Sequence, residues 1–225
     1  MGRPTAFYLG KLQDALALDP LTAYSSVLVP FFAEHPYTHL TLLTKSTNVS
    51  WLLNLPHKGH TILSWSLNPP DMSKLFEENV PSIEKRLEAM NRSALAGYPV
   101  RAVLMPLIPV KGWREIYPTF IRYLVSAIPL QRLTLGGICS YKAARTLMEN
   151  KLGLNNSISE NLENQESHDG RNRYSTLLRD EIYQVIIKVV KELRPDLKIA
   201  LCLEDEKLWK STGLESNLGQ CNCVL

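Results

Sequence analysis

The chain has 225 residues, of which 45% are hydrophobic and 21% charged, so it can bury a full core and is not a disordered chain. Its 25 basic and 22 acidic residues leave a formal charge of +3, too small an excess to argue by itself for a nucleic-acid partner. No run approaches the roughly 20 apolar residues of a membrane span, and Met1-Gly2-Arg3-Pro4 is followed by no apolar signal core, so a cytoplasmic protein with no membrane attachment is expected.

Six short apolar, β-branched runs read as buried strands: Thr5 to Leu9, His39 to Thr44, Thr61 to Leu67, Val100 to Leu107, Leu130 to Leu135 and Lys198 to Leu203. Between them lie helical patterns. Leu21 to Glu34 is interrupted by Pro30, and Val49 to Leu53 is a weaker signal. Ile83, Leu87, Met90 and Ala94 form one stripe, with Pro81 in the first turn and Gly97 and Pro99 as stops. A further helix is expected from Tyr117 to Ala127, with Pro118 in its first turn, and the longest from about Ser175 to Leu193, ended by Pro195. The segment 155–174 is polar and reads as an exposed loop. Strands alternating with helices imply a mostly parallel sheet, because a parallel neighbour needs a crossover. The expectation is one α/β domain over residues 1–225, an open or partial (β/α) barrel of the triosephosphate-isomerase type.

In such folds ligands lie at the carboxyl ends of the strands. The polar residues there are Gln13 and Asp14, then Thr44-Lys45-Ser46, Ser66 and Asn68, Gly136-Gly137, and Glu204 and Asp205. A carboxylate, an ammonium, a hydroxyl, a carboxamide and open backbone N–H groups suit a zwitterionic or ribose-bearing ligand; strand ends that merely meet water give the same pattern. His57 and His60 precede their strand, on the opposite face, and read as structural. Cys221-Asn222-Cys223 has the spacing of half a metal site, to be completed by Cys202 or Cys139, but without a second pair buried free thiols explain the four cysteines better. No metal ligand is assigned. There is no phosphate-binding glycine loop, Gly-x-Ser-x-Gly elbow or His-Glu-x-x-His pair, and Asn222 at the fourth position from the end breaks the prenylation signal.

Particular strings carry more than these patterns: Gly10-Lys11-Leu12-Gln13-Asp14, Leu18-Asp19-Pro20-Leu21-Thr22, Leu42-Leu43-Thr44-Lys45-Ser46, His57-Lys58-Gly59-His60-Thr61 and Ser64-Trp65-Ser66-Leu67-Asn68. Ala96-Gly97-Tyr98-Pro99, Pro106-Leu107-Ile108-Pro109-Val110-Lys111-Gly112-Trp113 and Leu133-Thr134-Leu135-Gly136-Gly137-Ile138 follow in order. Together they resemble the spore photoproduct lyase family of radical S-adenosylmethionine enzymes, over nearly the whole chain. The resemblance implies a partial (β/α)6 barrel that holds a [4Fe–4S] cluster and S-adenosylmethionine, with the deoxyadenosyl radical splitting a thymine dimer in DNA, so that DNA is the implied partner. It also implies that Asp14 and Lys45 hold the amino and carboxylate groups of the methionine moiety, and that Ser66 and Asn68 serve the ribose and its surroundings.

The chain departs from that family in lacking the Cys-x-x-x-Cys-x-x-Cys loop that binds the cluster through three thiolates. Gly2-Arg3-Pro4 resembles the stretch just after that loop, so a truncated barrel is expected, without its first strand, cluster loop and first helix and prone to association through the bare edge. Lys11 stands about where the family's hydrogen-donating cysteine belongs, leaving Cys139 as a geometric substitute. The lesion-gripping Arg-aromatic pair has no match within Ile138-Cys139-Ser140-Tyr141. Three functions therefore compete: a repair lyase once the cysteine-rich segment is supplied, an inactive remnant or adenosyl-ligand binding module, and a zinc-binding interaction protein using Cys221 and Cys223.

Overall fold

A computed structural model describes residues 4–10, 13–163, 167 and 169–225; the expectations for Gly2, Arg3 and Lys11 lie outside the described residues. The strands β1 (Thr5–Leu9), β2 (Thr38–Thr44), β3 (Thr61–Ser66), β4 (Val100–Leu107), β5 (Arg132–Gly137) and β8 (Lys198–Leu201) form one sheet in that spatial order. Every neighbour in it is parallel. Each strand thus lies beside the one before it, the winding of a partial barrel, as the sequence pattern requires. A separate antiparallel pair joins β6 (Cys139–Tyr141) to β7 (Arg171–Arg173).

The outer face of the sheet is apolar. Leu40, Leu42, Leu63, Trp65, Val100, Ala102, Leu104, Leu133, Leu135, Ile199 and Leu201 are buried in one core. The helices α1 (Asp19–Thr22), α2 (Ser25–Ala33), α3 (Pro70–Phe76), α4 (Ile83–Leu95), α5 (Trp113–Ala127), α6 (Lys142–Leu152), α7 (Thr176–Leu193) and α8 (Glu206–Ser211) complete the chain. Of these, α2, α4, α5, α7 and α8 contribute buried apolar side chains to that core, each worth about 1.5–3 kcal/mol when fully withdrawn from water. The β2-to-β3 connection carries only a 3-10 turn, Leu52–Asn54.

Prolines account for several differences from the sequence reading. Pro30 does not break α2; it sits in its last turn, where the missing N–H spares only the carbonyl of exposed Ser26. Pro118 falls in the second turn of α5, which starts at Trp113 after Gly112, and Pro81 precedes the Ser82 cap of α4. The segment 155–174 is not uniformly exposed. Ile158, Leu162 and Tyr174 are buried in a small second core with Met72, Ile108 and Val110, three apolar residues too widely spaced to show as a pattern.

The inner face of the sheet is polar, because strand alternation turns Ser64, Arg101 and Arg132 away from the helices. These three align across neighbouring strands, and the C-terminal segment lies against them. Arg101 Nη1 donates to the carbonyls of Asn222 at 3.2 Å and Val224 at 2.7 Å. Arg132 donates to Cys221, Val224 and Leu225 oxygens at 2.9, 3.0 and 2.7 Å. The buried Asn222 side chain accepts from Ser64 Oγ at 3.1 Å and donates to Tyr8 Oη at 3.2 Å. Burial, then the neighbouring Arg132 charge, pulls Arg101 down to about 10. Asn222→Ala strands Ser64 in the interior, so urea unfolding is expected to show a loss of about 1–3 kcal/mol. A loss below about 0.5 kcal/mol, the usual range for surface positions, would show that the segment does not fill the inner face.

Candidate functional site

The carboxyl ends of β2 and β3 carry the best-built group of polar side chains. Gly10 lets β1 turn away at φ +101°, and a Cβ there would lie 2.2 Å from Leu43 O, so only glycine allows this approach. The chain then reaches Asp14. Its Oδ1 accepts from Leu16 N at 2.8 Å, Ala17 N at 2.9 Å and Thr44 Oγ1 at 2.6 Å, and its Oδ2 accepts from Lys45 N at 2.6 Å. Three donors saturate Oδ1, and Oδ2 takes one of the two it can accept. Asp14 therefore clamps the β1 exit loop to the end of β2, and its geometry is that of a support for Lys45.

Lys45 extends to a cavity of about 350 Å³ lined also by Asn68, Phe76, Glu77, Pro106 and Ile138. Asn68 is 3% exposed and its Oδ1 has no hydrogen-bond partner, an acceptor that native interiors seldom leave unmet. Ser66 is buried two residues before it, at the end of β3. Asp14 lines a different cavity, beside Leu9, Gln13 and Tyr24. The structure thus brings Lys45 and Asn68 together, puts Ser66 on the adjoining strand end, and keeps Asp14 behind them.

The sequence reading missed the pair that holds this cavity's wall. Arg86 is fully buried on the apolar stripe of α4. Its Nη1 donates to Ser66 O at 3.1 Å, its Nε to Pro81 O at 2.9 Å, and its Nη2 meets Glu77 Oε2 at 2.6 Å. Glu77 also accepts from Ser73 Oγ at 2.9 Å and faces Lys45 Nζ at 3.3 Å. A charge on a stripe between Ile83 and Met90 was the available signal. Burial pushes the Glu77 carboxyl up most strongly, but the Arg86 hydrogen bond and the Lys45 and Arg86 charges together outweigh it and hold it below the ordinary range.

A second polar group closes the ends of β5 and β8. A Cβ on Gly136 would meet Met105 Sδ at 2.8 Å, so the Met105 side chain fills the space over Gly136 and would have to shift to admit another. Gly137 N donates to Tyr183 Oη at 2.9 Å, and Tyr183 donates to Glu204 Oε1. Arg179 pairs with Glu204 and donates to Tyr174 O. Burial raises the Glu204 carboxyl despite the opposing Arg179 charge. Glu204 and Arg179 line a cavity of about 440 Å³ with Asp169 and Arg173, and these two are themselves paired at 2.6 Å.

Cys139 is half-buried in β6, with Arg171 Nη1 3.7 Å from its sulfur. Arg171 lies over the Tyr141 ring at 4.8 Å. The four cysteines are half-buried or exposed, not enclosed. His57 stacks on Tyr98 and meets Ala96 O, and His60 stacks on His39 and meets Thr38 O. Among the described residues no group of three His, Cys, Asp or Glu side chains is arranged to hold a metal ion, and no helix is long and apolar enough to cross a membrane.

Glu77 gives the site a pH signature. Its folded-state pKa lies below the unfolded value of about 4.3, so its stabilisation is present above that value and is lost as pH falls through the folded one. Glu77→Gln leaves Arg86 buried without its counter-charge and is expected to cost about 3–5 kcal/mol at pH 7. In urea titrations the gap between variant and parent should narrow below about pH 4; a gap independent of pH would remove the ion pair from the account.

Known proteins share this chain's sequence pattern and fold. A family model described as spore photoproduct lyase matches residues 3–192. Curated relatives include the spore photoproduct lyase of Bacillus subtilis, 30% identical over 125 residues, which are 56% of this chain and 36% of the relative. That of Clostridium acetobutylicum is 26% identical over 106 residues, 46% of this chain and 32% of the relative. Over its matched stretches, the chain thus spans about a third of those relatives' length. A solved spore photoproduct lyase complexed with dinucleoside spore photoproduct superposes with TM-score 0.77 at 22% identity, covering 88% of this chain and 61% of that one. A mutant of that enzyme with bound AdoMet and dinucleoside spore photoproduct gives the same values. The fold is therefore that of the solved lyases, and this chain belongs to the spore photoproduct lyase family, whose members are radical S-adenosylmethionine proteins of DNA repair.

Proposed function

We propose that the chain binds S-adenosylmethionine at the ends of β2 and β3 and serves in the repair of thymine-dimer lesions of the spore photoproduct type. The observation that carries the reading is Asn68 Oδ1, a buried acceptor without a partner, opening with Lys45 onto one cavity. The Lys45 ammonium suits the carboxylate of a methionine moiety, and the Asn68 carboxamide suits a ribose hydroxyl or an ammonium. Ser66 supplies a neighbouring strand-end position, held by Arg86 through its carbonyl. Asp14, with both oxygens already hydrogen-bonded, acts by fixing the Lys45 backbone.

S-adenosylmethionine, when bound, supplies the radical precursor of this family's chemistry; the protein's part is to hold and aim it and to keep water away. The family's [4Fe–4S] cluster is held by three thiolates, and among the described residues no group of three such side chains is arranged to hold a metal ion. That donor set favours a second reading, in which the chain binds the adenosyl ligand without performing the reaction alone. DNA as the partner rests on the family membership and on the dinucleoside spore photoproduct bound by the structural neighbours, whereas Cys139 as hydrogen donor rests only on its place beside the end of β5.

Calorimetric titration with S-adenosylmethionine, and separately with S-adenosylhomocysteine, tests the shared core of both readings. Saturable binding is expected, weakened about tenfold by Asn68→Ala, the equivalent of about 1.4 kcal/mol for one buried hydrogen bond. Absence of binding by the folded chain to either ligand would sink the adenosyl site. Anaerobic reconstitution with iron and sulfide separates the two readings, since stoichiometric cluster uptake belongs to the catalytic one alone.

A further inference from the structure

Three sulfurs meet against the inner face of the sheet, away from the candidate ligand cavity. Cys202 directly follows β8 and donates its N–H to Leu135 O at 2.8 Å. Cys221 and Cys223 flank Asn222 in a turn closed by Val224 N donating to Cys221 O at 3.3 Å, and their Sγ atoms lie 2.8 Å apart. The Cys202 thiol is hydrogen-bonded to Cys221. Arg132 donates to the Cys221 carbonyl at 2.9 Å, which brings its charge beside that sulfur. Hydrogen bonds from Cys202 and then Cys223, with a smaller contribution from Arg132, hold the Cys221 thiol well below the ordinary range, whereas Cys202 is pushed up. Cys221 is half-buried and Cys223 is exposed.

We propose that Cys221 and Cys223 form a thiol–disulfide exchange site that accepts low-molecular-weight disulfides of the glutathione class. Cys221 Sγ lies 2.8 Å from Cys223 Sγ, with the Arg132 charge nearby to favour a thiolate and Cys223 exposed on the solvent side, so an attacking and a resolving group stand within reach of each other. The Cys221 thiolate attacks one sulfur of the disulfide RS–SR, forming a Cys221–SR mixed disulfide and releasing RS⁻, which takes up a proton. Cys223 then loses its proton to solvent and attacks Cys221 Sγ, forming the Cys221–Cys223 bond and expelling the second RS⁻. Two electrons pass from the protein pair to the small disulfide, which leaves as two thiols. The ring so formed encloses Asn222, the residue that joins Ser64 to Tyr8 across the inner face. The short turn is already closed in the dithiol arrangement, so the new bond asks for little backbone movement.

Equilibration of the purified chain in mixtures of reduced and oxidised glutathione, followed by alkylation, trypsin digestion and mass spectrometry, tests the proposal. Cleavage after Lys210 isolates residues 211–225 with both cysteines, and cleavage after Lys198 and Lys207 isolates Cys202. The expected product is peptide 211–225, two hydrogens lighter and unalkylated, with Cys202 alkylated and the change reversed by excess reduced glutathione. In Cys223→Ser the reaction is expected to stop at a glutathione adduct on Cys221. A cross-link between the two peptides, full alkylation of Cys221 and Cys223 at every ratio, or the absence of the adduct in Cys223→Ser would each overturn it. These readouts involve no adenosyl ligand, so they stand or fall independently of the function proposed above.

Discussion

Two guanidinium groups, those of Arg101 and Arg132, stand on the inner face of a parallel sheet, each only 2–3% exposed. A buried cation without acceptors costs several kcal/mol, and neither strand supplies a carboxylate to meet them. The C-terminal segment meets them with backbone oxygens, and Asn222 adds side-chain bonds to Ser64 and Tyr8. The sheet is consequently covered on both faces, by helices outside and by a strip of chain inside. Parallel sheets require such double coverage. What distinguishes this one is that the inner cover is polar and held by hydrogen bonds.

That arrangement divides the interior along the strands. The row Ser64, Arg101, Arg132 lies towards the strands' starts on β4 and β5 and is filled. The strand ends beyond it, where Lys45, Ser66 and Asn68 stand, open onto a cavity. A floor of satisfied hydrogen bonds beneath an open set of polar groups is how a barrel confines ligand chemistry to one end. The Arg86–Glu77 pair does the corresponding work at the side, joining α4 to the end of β3 and to Lys45.

Much of the fold was legible because its signal is local. The six strands of the main sheet announce themselves as apolar runs between turn residues, and the stripes of α4 and α7 have helical period. The strand-end positions Lys45, Ser66 and Asn68 follow from topology alone. What escaped is long-range. Arg86 on a helix stripe and Arg101 within an apolar strand run are visible anomalies, but a sequence does not say which distant group answers a buried charge. Nor does the string around Asp14 show that its carboxylate is engaged both by its own loop and by the end of β2, 30 residues away. The small core of Ile158, Leu162 and Tyr174 escaped for a different reason: its members have no period, and only Met72, Ile108 and Val110 from elsewhere complete it.

The bond between Asn222 and Tyr8 joins residues 214 positions apart, and that separation has a kinetic meaning. Neighbouring strands of the sheet pair across single crossovers, so the sheet can grow step by step from local contacts. The inner cover cannot, because each of its hydrogen bonds closes a long loop, from 89 residues for Arg132 and Cys221 to 214 for Asn222 and Tyr8. The barrel interior is therefore the last part of the molecule to close and, being hydrogen-bonded more than packed, among the first to open in native fluctuations. Transient exposure of the inner face, with its thiols and its two arginines, can thus occur while the helices remain docked outside.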